Sequence, residues 1–284
     1  MAGRDINNFK NHSLFMQIKD EMKLISKIKH IVSDNDGYLF NLYISGSDLY
    51  GWRSQNSDID MRGIFVLNKN KFLGLDKPIE VLEVESDHDI VLFEIKKAIS
   101  LALKGNCNML EEINAPQLYK QADFIKLKHL INNSVGKKGV YSSYKGLAEF
   151  NYKKFILHGR NTVKKYLYVF RGLLAGIYFL QTGHIQPSIT ELNENFKISE
   201  ISKLIEIKRQ GKENEPLRDI EEGTLDAIIS GLFDKLDEAY IKSKIPESPT
   251  KEEIEAMNKF LVHLRNIVND INIITNCMSF PHTK

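Results

Sequence analysis

A chain of 284 residues is long enough to bury a substantial core and is more typical of two domains than of one. An apolar fraction of 42%, a charged fraction of 27% and a net charge of +2 are ordinary for a globular protein and argue against a disordered chain. The two cysteines, Cys107 and Cys277, argue against a disulfide framework or a cysteine-based zinc site. A polar N-terminus and the lack of a long apolar run predict a cytoplasmic protein without membrane contact.

Helix and strand signals alternate over the first part of the chain. Residues 9–34 carry apolar side chains at helical spacing and predict an amphipathic helix. Branched and aromatic residues predict strands at 38–44 and 58–67, and alternation predicts a third strand at 80–85. Apolar residues on most faces predict a second helix at 90–103. This order is typical of a small domain in which helices cover a sheet.

Strand signals nearly disappear after Pro116, and the segment from there to about residue 122 is interpreted as irregular. We therefore predict an α+β protein with a small mixed-sheet domain, residues 1–118, followed by an α-helical bundle domain, residues 119–284. The helices predicted for the second domain are 124–132, 144–157, 162–181, 198–208, 224–242 and 252–274.

The strongest functional signal is a Gly-Ser turn followed by two aspartates at alternate positions of a strand. The turn is Gly46 and Ser47, and the aspartates are Asp58 and Asp60. Since side chains at positions i and i+2 of a strand share a face, the two carboxylates lie on one side, about 7 Å apart. Paired carboxylates favour hard divalent ions such as Mg²⁺, and a glycine-containing turn suits phosphate oxygens. The pattern therefore indicates phosphoryl or nucleotidyl transfer.

The same residues carry a resemblance to a known family. Gly46 and Ser47, followed after ten residues by Asp58 and Asp60, resemble the signature of the DNA polymerase β-like nucleotidyltransferase superfamily. The longer string that ends in Ser-Asp-Ile-Asp-x-Arg-Gly looks like one branch, the predicted nucleotidyltransferases associated with RNA ligases. The resemblance implies that residues 1–118 form a nucleotidyltransferase catalytic domain.

Later segments resemble that branch less specifically. Residues 103–112, and Lys165 together with Arg171, are similar to its downstream motifs, so the similarity runs in patches from about residue 40 to about residue 260. Two positions depart from the pattern. Asp48 stands where the branch is expected to carry Arg or His, and Cys107 stands where it usually has proline. These departures leave the carboxylate pattern intact and leave the nucleotide preference open.

The resemblance also implies a metal site. Asp58 and Asp60 are expected to hold two Mg²⁺ ions, which Mn²⁺ could replace, and a third carboxylate is expected to complete the site. Asp89 is our choice for it, because the family places an acid immediately before the apolar run that begins at residue 90. Asp87 and Glu85 remain alternatives, and a helix-capping role remains open for Asp87 and Asp89.

A nucleotide site is implied as well. Gly46, Ser47 and Ser57 are expected to bind the NTP. On the helix predicted at 162–181, Lys165 and Arg171 are expected to face the cleft and hold the triphosphate. The neighbouring Lys164 is interpreted as part of a solvated basic face. Because apolar residues surround Arg171, it is also expected to need an anionic partner.

The middle of the chain suggests the acceptor. Residues 136–171 contain nine lysines and arginines, one carboxylate and eight interleaved aromatic residues, a composition that suits a polyanion. We therefore predict a metal-dependent enzyme that moves an NMP from an NTP to the 3′ end of an RNA, such as a tRNA, and releases pyrophosphate. Two alternatives remain open. One is nucleotidylation of a protein side chain, as by a toxin of a toxin–antitoxin pair, and the other is a nucleotide- or RNA-binding module without catalysis.

Overall fold

A computed structural model describes five stretches of the chain, residues 18–54, 57–86, 88–159, 162–211 and 221–278. Within them a five-stranded mixed sheet is followed by a predominantly helical half, which confirms the predicted α+β class. None of the helices in these stretches has both the length and the apolar character that crossing a lipid bilayer requires.

The sheet is built from both parallel and antiparallel neighbours. Its spatial order is β3-β4-β2-β1-β5, where the strands are β1 Gly37–Ile44, β2 Asp60–Leu67, β3 Val81–Val84, β4 Asp89–Glu94 and β5 Gln117–Lys120. Strands β2 and β4 run parallel, and the other neighbouring pairs run antiparallel. The parallel pair has Asp60 opposite Asp89, so it brings two of the predicted metal ligands to one end of the sheet.

Twelve α-helices accompany the sheet in the described residues, and one π-helical turn, Tyr152–Ile156, follows α7. The helices are α1 Ile18–Asp34, α2 Gly46–Leu49, α3 Asn70–Leu73, α4 Ile95–Leu103, α5 Cys107–Asn114, α6 Phe124–Ser134, α7 Lys137–Asn151, α8 Val163–Thr182, α9 Ile189–Phe196, α10 Ser199–Arg209, α11 Glu222–Lys242 and α12 Lys251–Met278.

Local side chains account for several of these boundaries. Helix α4 begins after Glu94, whose carboxylate accepts a hydrogen bond from the N–H of Lys96 at 2.8 Å. Helix α5 begins after Asn106, whose side chain accepts from the N–H of Met109 at 3.0 Å. Helix α8 ends at Gly183, which adopts the left-handed conformation that glycine tolerates best.

Several of the predicted boundaries are wrong. The strand predicted at 58–67 begins at Asp60, so Asp58 lies just outside it. The helix predicted at 144–157 begins at Lys137 and ends at Asn151, where the π-helical turn follows.

Residues 90–94, predicted as the start of a helix, form strand β4, and the helix begins only at Ile95. A short run of buried apolar residues fits both a central strand and a buried helix, so periodicity does not separate them. Residues 117–120, predicted as irregular, form β5 beside β1. The predicted first helix is present from Ile18 onward, and its earlier part lies outside the described residues.

The sheet has apolar layers on both faces. Helix α1 packs on one face, where Ile28 and Val32 join Phe65 and Leu92 in a compact cluster. A larger cluster covers the other face and extends from Phe40 on β1 into the helical half. At the centre of that half is α8, which packs against α7, α9, α10 and α11. The larger cluster is continuous across residue 118, and the division into two domains there stays a prediction.

A buried ion pair fastens the last helix to the sheet. Arg265 on α12 lies 2.9 Å from the carboxylate of Glu94, and both side chains are nearly inaccessible to solvent. The guanidinium also donates to the carbonyl of Leu67 at 3.0 Å and covers the ring of Phe72 at 3.7 Å. Because Glu94 both caps α4 and binds Arg265, this pair connects three elements of the fold.

We predict that Arg265→Ala lowers the free energy of unfolding by about 3–5 kcal/mol, because the Glu94 carboxylate stays buried without its partner. Urea denaturation measures the loss. The matched control is Lys259→Ala on the same helix, whose pair with Glu255 is exposed and should contribute less than about 1 kcal/mol. Similar small losses in both variants would contradict a stabilising role for the buried pair.

Candidate active site

The predicted carboxylates lie near one another at the end of the parallel strand pair. Asp60 opens β2, its ladder partner Asp89 opens β4, and Asp58 comes two residues earlier. Burial raises the pKa of Asp60 most, Arg62 opposes that shift, and the charges of Asp89 and Asp58 raise the pKa further. Three carboxylates that influence each other in this way create a negative potential that a divalent cation would relieve.

The Gly-Ser turn lies directly against Asp60. Gly46 has a φ of +63°, and a Cβ atom there would collide with the Asp60 carboxylate, so both the backbone conformation and the close approach require glycine. The N–H of Ser45 donates to the carbonyl of Asp60 at 2.8 Å. Ser47 follows in the short helix α2. The structure thus brings together Gly46, Ser47 and Asp60, as the motif predicts.

The described carboxylates at this strand end do not form a complete metal site. Across the described residues, no three His, Cys, Asp or Glu side chains are close enough to form a complete one. Asp58 and Asp60 fit Mg²⁺ nevertheless, since this ion commonly takes one or two protein carboxylates and completes its shell with water and phosphate oxygens. The mutual influence of their charges agrees with that chemistry.

The third ligand stays a prediction. Arg62 reaches across from β2 and donates to the Asp89 carboxylate at 2.8 Å and to the Asp89 carbonyl at 2.9 Å. Asp89 begins a strand rather than capping a helix, so the capping role considered for it is wrong. Of the two alternatives, Glu85 is an exposed residue just beyond the end of β3, and Asp87 lies outside the described residues.

Two lysines outside the predicted set of site residues bring positive charge to the site. Lys164 at the start of α8 lowers the pKa of Asp60, so its ammonium group acts on that carboxylate. Lys208 near the end of α10 is 2% exposed, and its Nζ lies 3.5 Å from the hydroxyls of Ser54 and Ser57. Burial lowers the pKa of Lys208, and the charge of Lys164 lowers it further.

Lys164 is half-buried, and its place on a solvated basic face stays an interpretation. The neighbouring Lys165, which was expected to face the cleft, lies against an aromatic ring. The Nζ of Lys165 lies 3.7 Å from the ring centroid of Phe155, on the side of α8 toward the π-helical turn. Its contact with the triphosphate stays a prediction.

Arg171 does not face the cleft, and that prediction is wrong. Its side chain is 1% exposed and forms an ion pair with Glu111, which is completely buried. The Tyr144 hydroxyl donates to the same carboxylate at 3.0 Å. The expected anionic partner of Arg171 is thus present, and the pair holds the guanidinium inside the protein.

The buried pair supports the Gly-Ser turn through Tyr50. The guanidinium of Arg171 lies 3.8 Å from the ring centroid of Tyr50, the residue that directly follows α2. Tyr50 also packs against Trp52 and Tyr168, with ring centroids 5.3 Å and 6.1 Å away. Arg171 therefore contributes to the site as a support of the turn.

The helical half also holds the segment between the turn and the aspartates. Three hydrogen bonds reach it. The N–H of Ile189 donates to the carbonyl of Tyr50 at 3.0 Å, and Thr190 and Arg209 both donate to the carbonyl of Gly51 at 2.9 Å. The position of the turn relative to Asp58 and Asp60 therefore depends on α9 and α10 as well as on the sheet.

The unexpected acid at position 48 has a cation beside it. Asp48 forms an ion pair with Arg53, five residues along the same segment. Burial raises the pKa of Asp48, and Arg53 opposes that shift. A positive side chain is thus present next to the turn, although it comes from a different position than the resemblance leads us to expect.

A buried carboxyl group lies behind the site. Burial raises the pKa of Glu112 to about 7, while the Tyr43 hydroxyl and the Arg62 guanidinium oppose the shift. Arg62 also binds Asp89 and lowers the pKa of Asp60. The Arg62 guanidinium therefore partly neutralises the carboxylates of Asp60, Asp89 and Glu112.

Comparison with known proteins agrees with this geometry. The family model of the RNA repair pathway DNA polymerase beta family matches residues 18–263. The chain is similar to the uncharacterized protein YcgL of Bacillus subtilis (strain 168), with 24% identity over 254 residues, which are 86% of this chain and 95% of that protein. It is also similar to the uncharacterized protein MJ0002 of Methanocaldococcus jannaschii, with 29% identity over 216 residues, 73% of this chain and 87% of that protein.

We predict that Glu112→Gln makes stability less sensitive to pH. A carboxyl whose pKa rises from 4.5 to about 7 on folding binds its proton more tightly in the folded state. The contribution of this protonated carboxyl to the free energy of unfolding is therefore complete below about pH 4.5. It is lost as the pH rises through 7, and the loss is up to about 3 kcal/mol. Urea denaturation at about pH 5 and about pH 8 should show a smaller difference for the variant than for the wild type.

Glu83→Gln is the control for this measurement, since Glu83 is an exposed carboxylate on β3. It should leave the difference between the two pH values unchanged. If Glu112→Gln also leaves it unchanged, the carboxyl does not take up a proton on folding.

Proposed function

We propose, because the chain belongs to the RNA repair pathway DNA polymerase beta family, that it is a nucleotidyltransferase that moves an NMP from an NTP to the 3′ hydroxyl of an RNA. Pyrophosphate is the second product. The observation that carries the proposal is the contact between Gly46 and the Asp60 carboxylate, with Asp58 beside it. This contact joins a turn suited to phosphate to carboxylates suited to a metal ion.

Asp58 and Asp60 are the residues that would hold Mg²⁺, or Mn²⁺ in its place, and Asp89 is the proposed third carboxylate. When bound, the metal supplies charge neutralisation and a lower pKa for the attacking hydroxyl. For Asp89 to join the site, its carboxylate has to be shared with Arg62 or released from it, because the two are hydrogen-bonded.

The remaining groups suit the triphosphate. Gly46 and Ser47 offer the backbone N–H groups and the hydroxyl of the turn. Lys208, held beside Ser57, and Lys164 add positive charge from the helical half. Charge placed in advance where the pyrophosphate leaves stabilises the transition state without further rearrangement.

RNA is proposed as the acceptor because of the positive charge in the middle of the chain. The segment 136–171 contributes nine lysines and arginines against one carboxylate, and its lysine at position 164 acts directly on Asp60. A polyanion attracted to this segment would have its end near the carboxylates. The family description, which refers to RNA repair, agrees with RNA as that polyanion.

We predict that Asp58→Asn and Asp60→Asn each reduce transfer of labelled NMP to RNA by at least about 100-fold, because each removes a charge on which metal binding depends. The assay uses radiolabelled NTP, Mg²⁺ and total RNA, followed by gel electrophoresis. Asp34→Asn, at an exposed aspartate at the end of α1, is the control and should keep full activity.

RNA label that persists in both variants would contradict the proposed site. Label that depends on both aspartates but lies on a protein band would assign the acceptor to protein instead of RNA.

We further predict that Lys208→Gln raises the KM for NTP by about 10-fold. The variant loses the ammonium group held beside Ser57, and a hydrogen bond from such a group to the proposed triphosphate would contribute about 1.5–3 kcal/mol. Steady-state kinetics with varied NTP measures the change. Lys203→Gln is the matched control, because Lys203 lies on the same helix and is exposed. Equal KM values for both variants would remove Lys208 from the nucleotide site.

A further inference from the structure

We propose that a basic and aromatic surface beside the active site binds the single-stranded nucleotides that precede the 3′ end of the acceptor RNA. This inference rests on the proposed function and adds the place where the acceptor is held. The surface, here called the acceptor surface, consists of Phe150, Lys153, Lys154, Phe155 and Lys165.

The acceptor surface is formed where α7 changes into a π-helical turn. Helix α7 ends at Asn151, and Tyr152–Ile156 forms one wider turn before the chain leaves the helix. Such turns are rare and occur frequently at functional sites. Around this turn Phe150 is 52% exposed and Leu157 is 60% exposed. The rare turn is thus flanked by large apolar side chains that are exposed to solvent.

The rings and ammonium groups of the acceptor surface alternate. Phe150 and Phe155 meet edge to face, with centroids 5.8 Å apart. The Nζ of Lys154 lies 4.7 Å from the centroid of Phe150, and that of Lys165 lies 3.7 Å from the centroid of Phe155. Stacking faces placed next to cations match a chain of alternating bases and phosphates.

The arrangement favours a single strand over a duplex. Bases in a duplex are already stacked on both sides, whereas unpaired bases at an RNA end can stack on protein rings. Lys153 pairs with Glu149 at 3.0 Å. Lys154 and Lys165 hold their ammonium groups over the rings of Phe150 and Phe155, so a phosphate that follows a stacked base would lie near them.

The acceptor surface is continuous with the active site through α8. Lys165 belongs to the acceptor surface, and Lys164 directly precedes it at the start of the same helix. Lys164 in turn acts on the Asp60 carboxylate. A single-stranded RNA bound over Phe150 would therefore follow positive charge to the aspartates, where its 3′ hydroxyl would attack the NTP.

The test measures binding of a fluorescein-labelled single-stranded RNA of about 12 nucleotides, by anisotropy, with the full-length protein. Phe150→Ala removes an exposed ring and should weaken binding by about 10-fold. Lys154→Gln should reduce the slope of log Kd against log salt concentration by about 0.7, the value for one phosphate contact on a single strand.

Two matched controls lie on other helices. Ile241→Ala removes an apolar side chain that is 80% exposed on α11, and Lys259→Gln removes an exposed charge on α12. Both should leave the affinity and the salt slope unchanged. Unchanged RNA affinity in Phe150→Ala and in Lys154→Gln would overturn the proposal. Preferential binding of the wild type to duplex RNA or to anionic lipid vesicles would overturn it too.

Transfer of labelled NMP to the same RNA separates this inference from the proposed function. If transfer depends on Asp60 and is equally efficient in the Phe150→Ala variant at limiting RNA, the acceptor surface is wrong and the proposed function stands. If no transfer occurs while Phe150→Ala still weakens RNA binding, the proposed activity fails and the surface remains supported as an RNA-binding surface.

Discussion

The parallel pairing of β2 with β4 is the constraint on which the site depends. Neighbouring strands lie about 4.8 Å apart, so Asp60 and Asp89, once in register, bring two carboxylates to one sheet end. Asp58 lies two residues before Asp60, just outside β2, and Gly46 closes the arrangement because a larger residue would collide with Asp60. The negative charge is thus imposed by backbone pairing, and the rest of the molecule supplies the groups that balance it.

The helical half adds to the balance that Arg62 on β2 provides, and it also positions the candidate site. Lys164 acts on Asp60, Lys208 binds two serines next to the aspartates, and Arg209 holds the carbonyl of Gly51. Arg171 contributes from inside the protein, where it is paired with Glu111. Burying an arginine and a glutamate together costs much solvation energy, and such pairs are retained in some proteins because they specify one arrangement. Here the pair supports Tyr50, immediately behind the turn.

The parts of the site that the sequence predicts are those set by local geometry. The contact of Gly46 with Asp60 follows from a short motif, and the burial of Arg171 with an anion follows from the apolar residues around it. Strand β4 was predicted as a helix, since an apolar run of that length fits both. The contribution of Lys208 depends on packing between α10 and a segment about 150 residues earlier, and no local pattern indicates it.

Arg62 shows how closely the opposing charges are matched. It binds the carboxylate and the carbonyl of Asp89 and lowers the pKa of both Asp60 and Glu112. A guanidinium has donors for several acceptors at once and keeps its charge throughout the physiological pH range. Arg62 therefore stabilises a carboxylate-rich strand end that would otherwise repel itself. A divalent cation at Asp58 and Asp60 would take over part of that role, so metal binding and the Arg62–Asp89 pair should be coupled through the charge of Asp60.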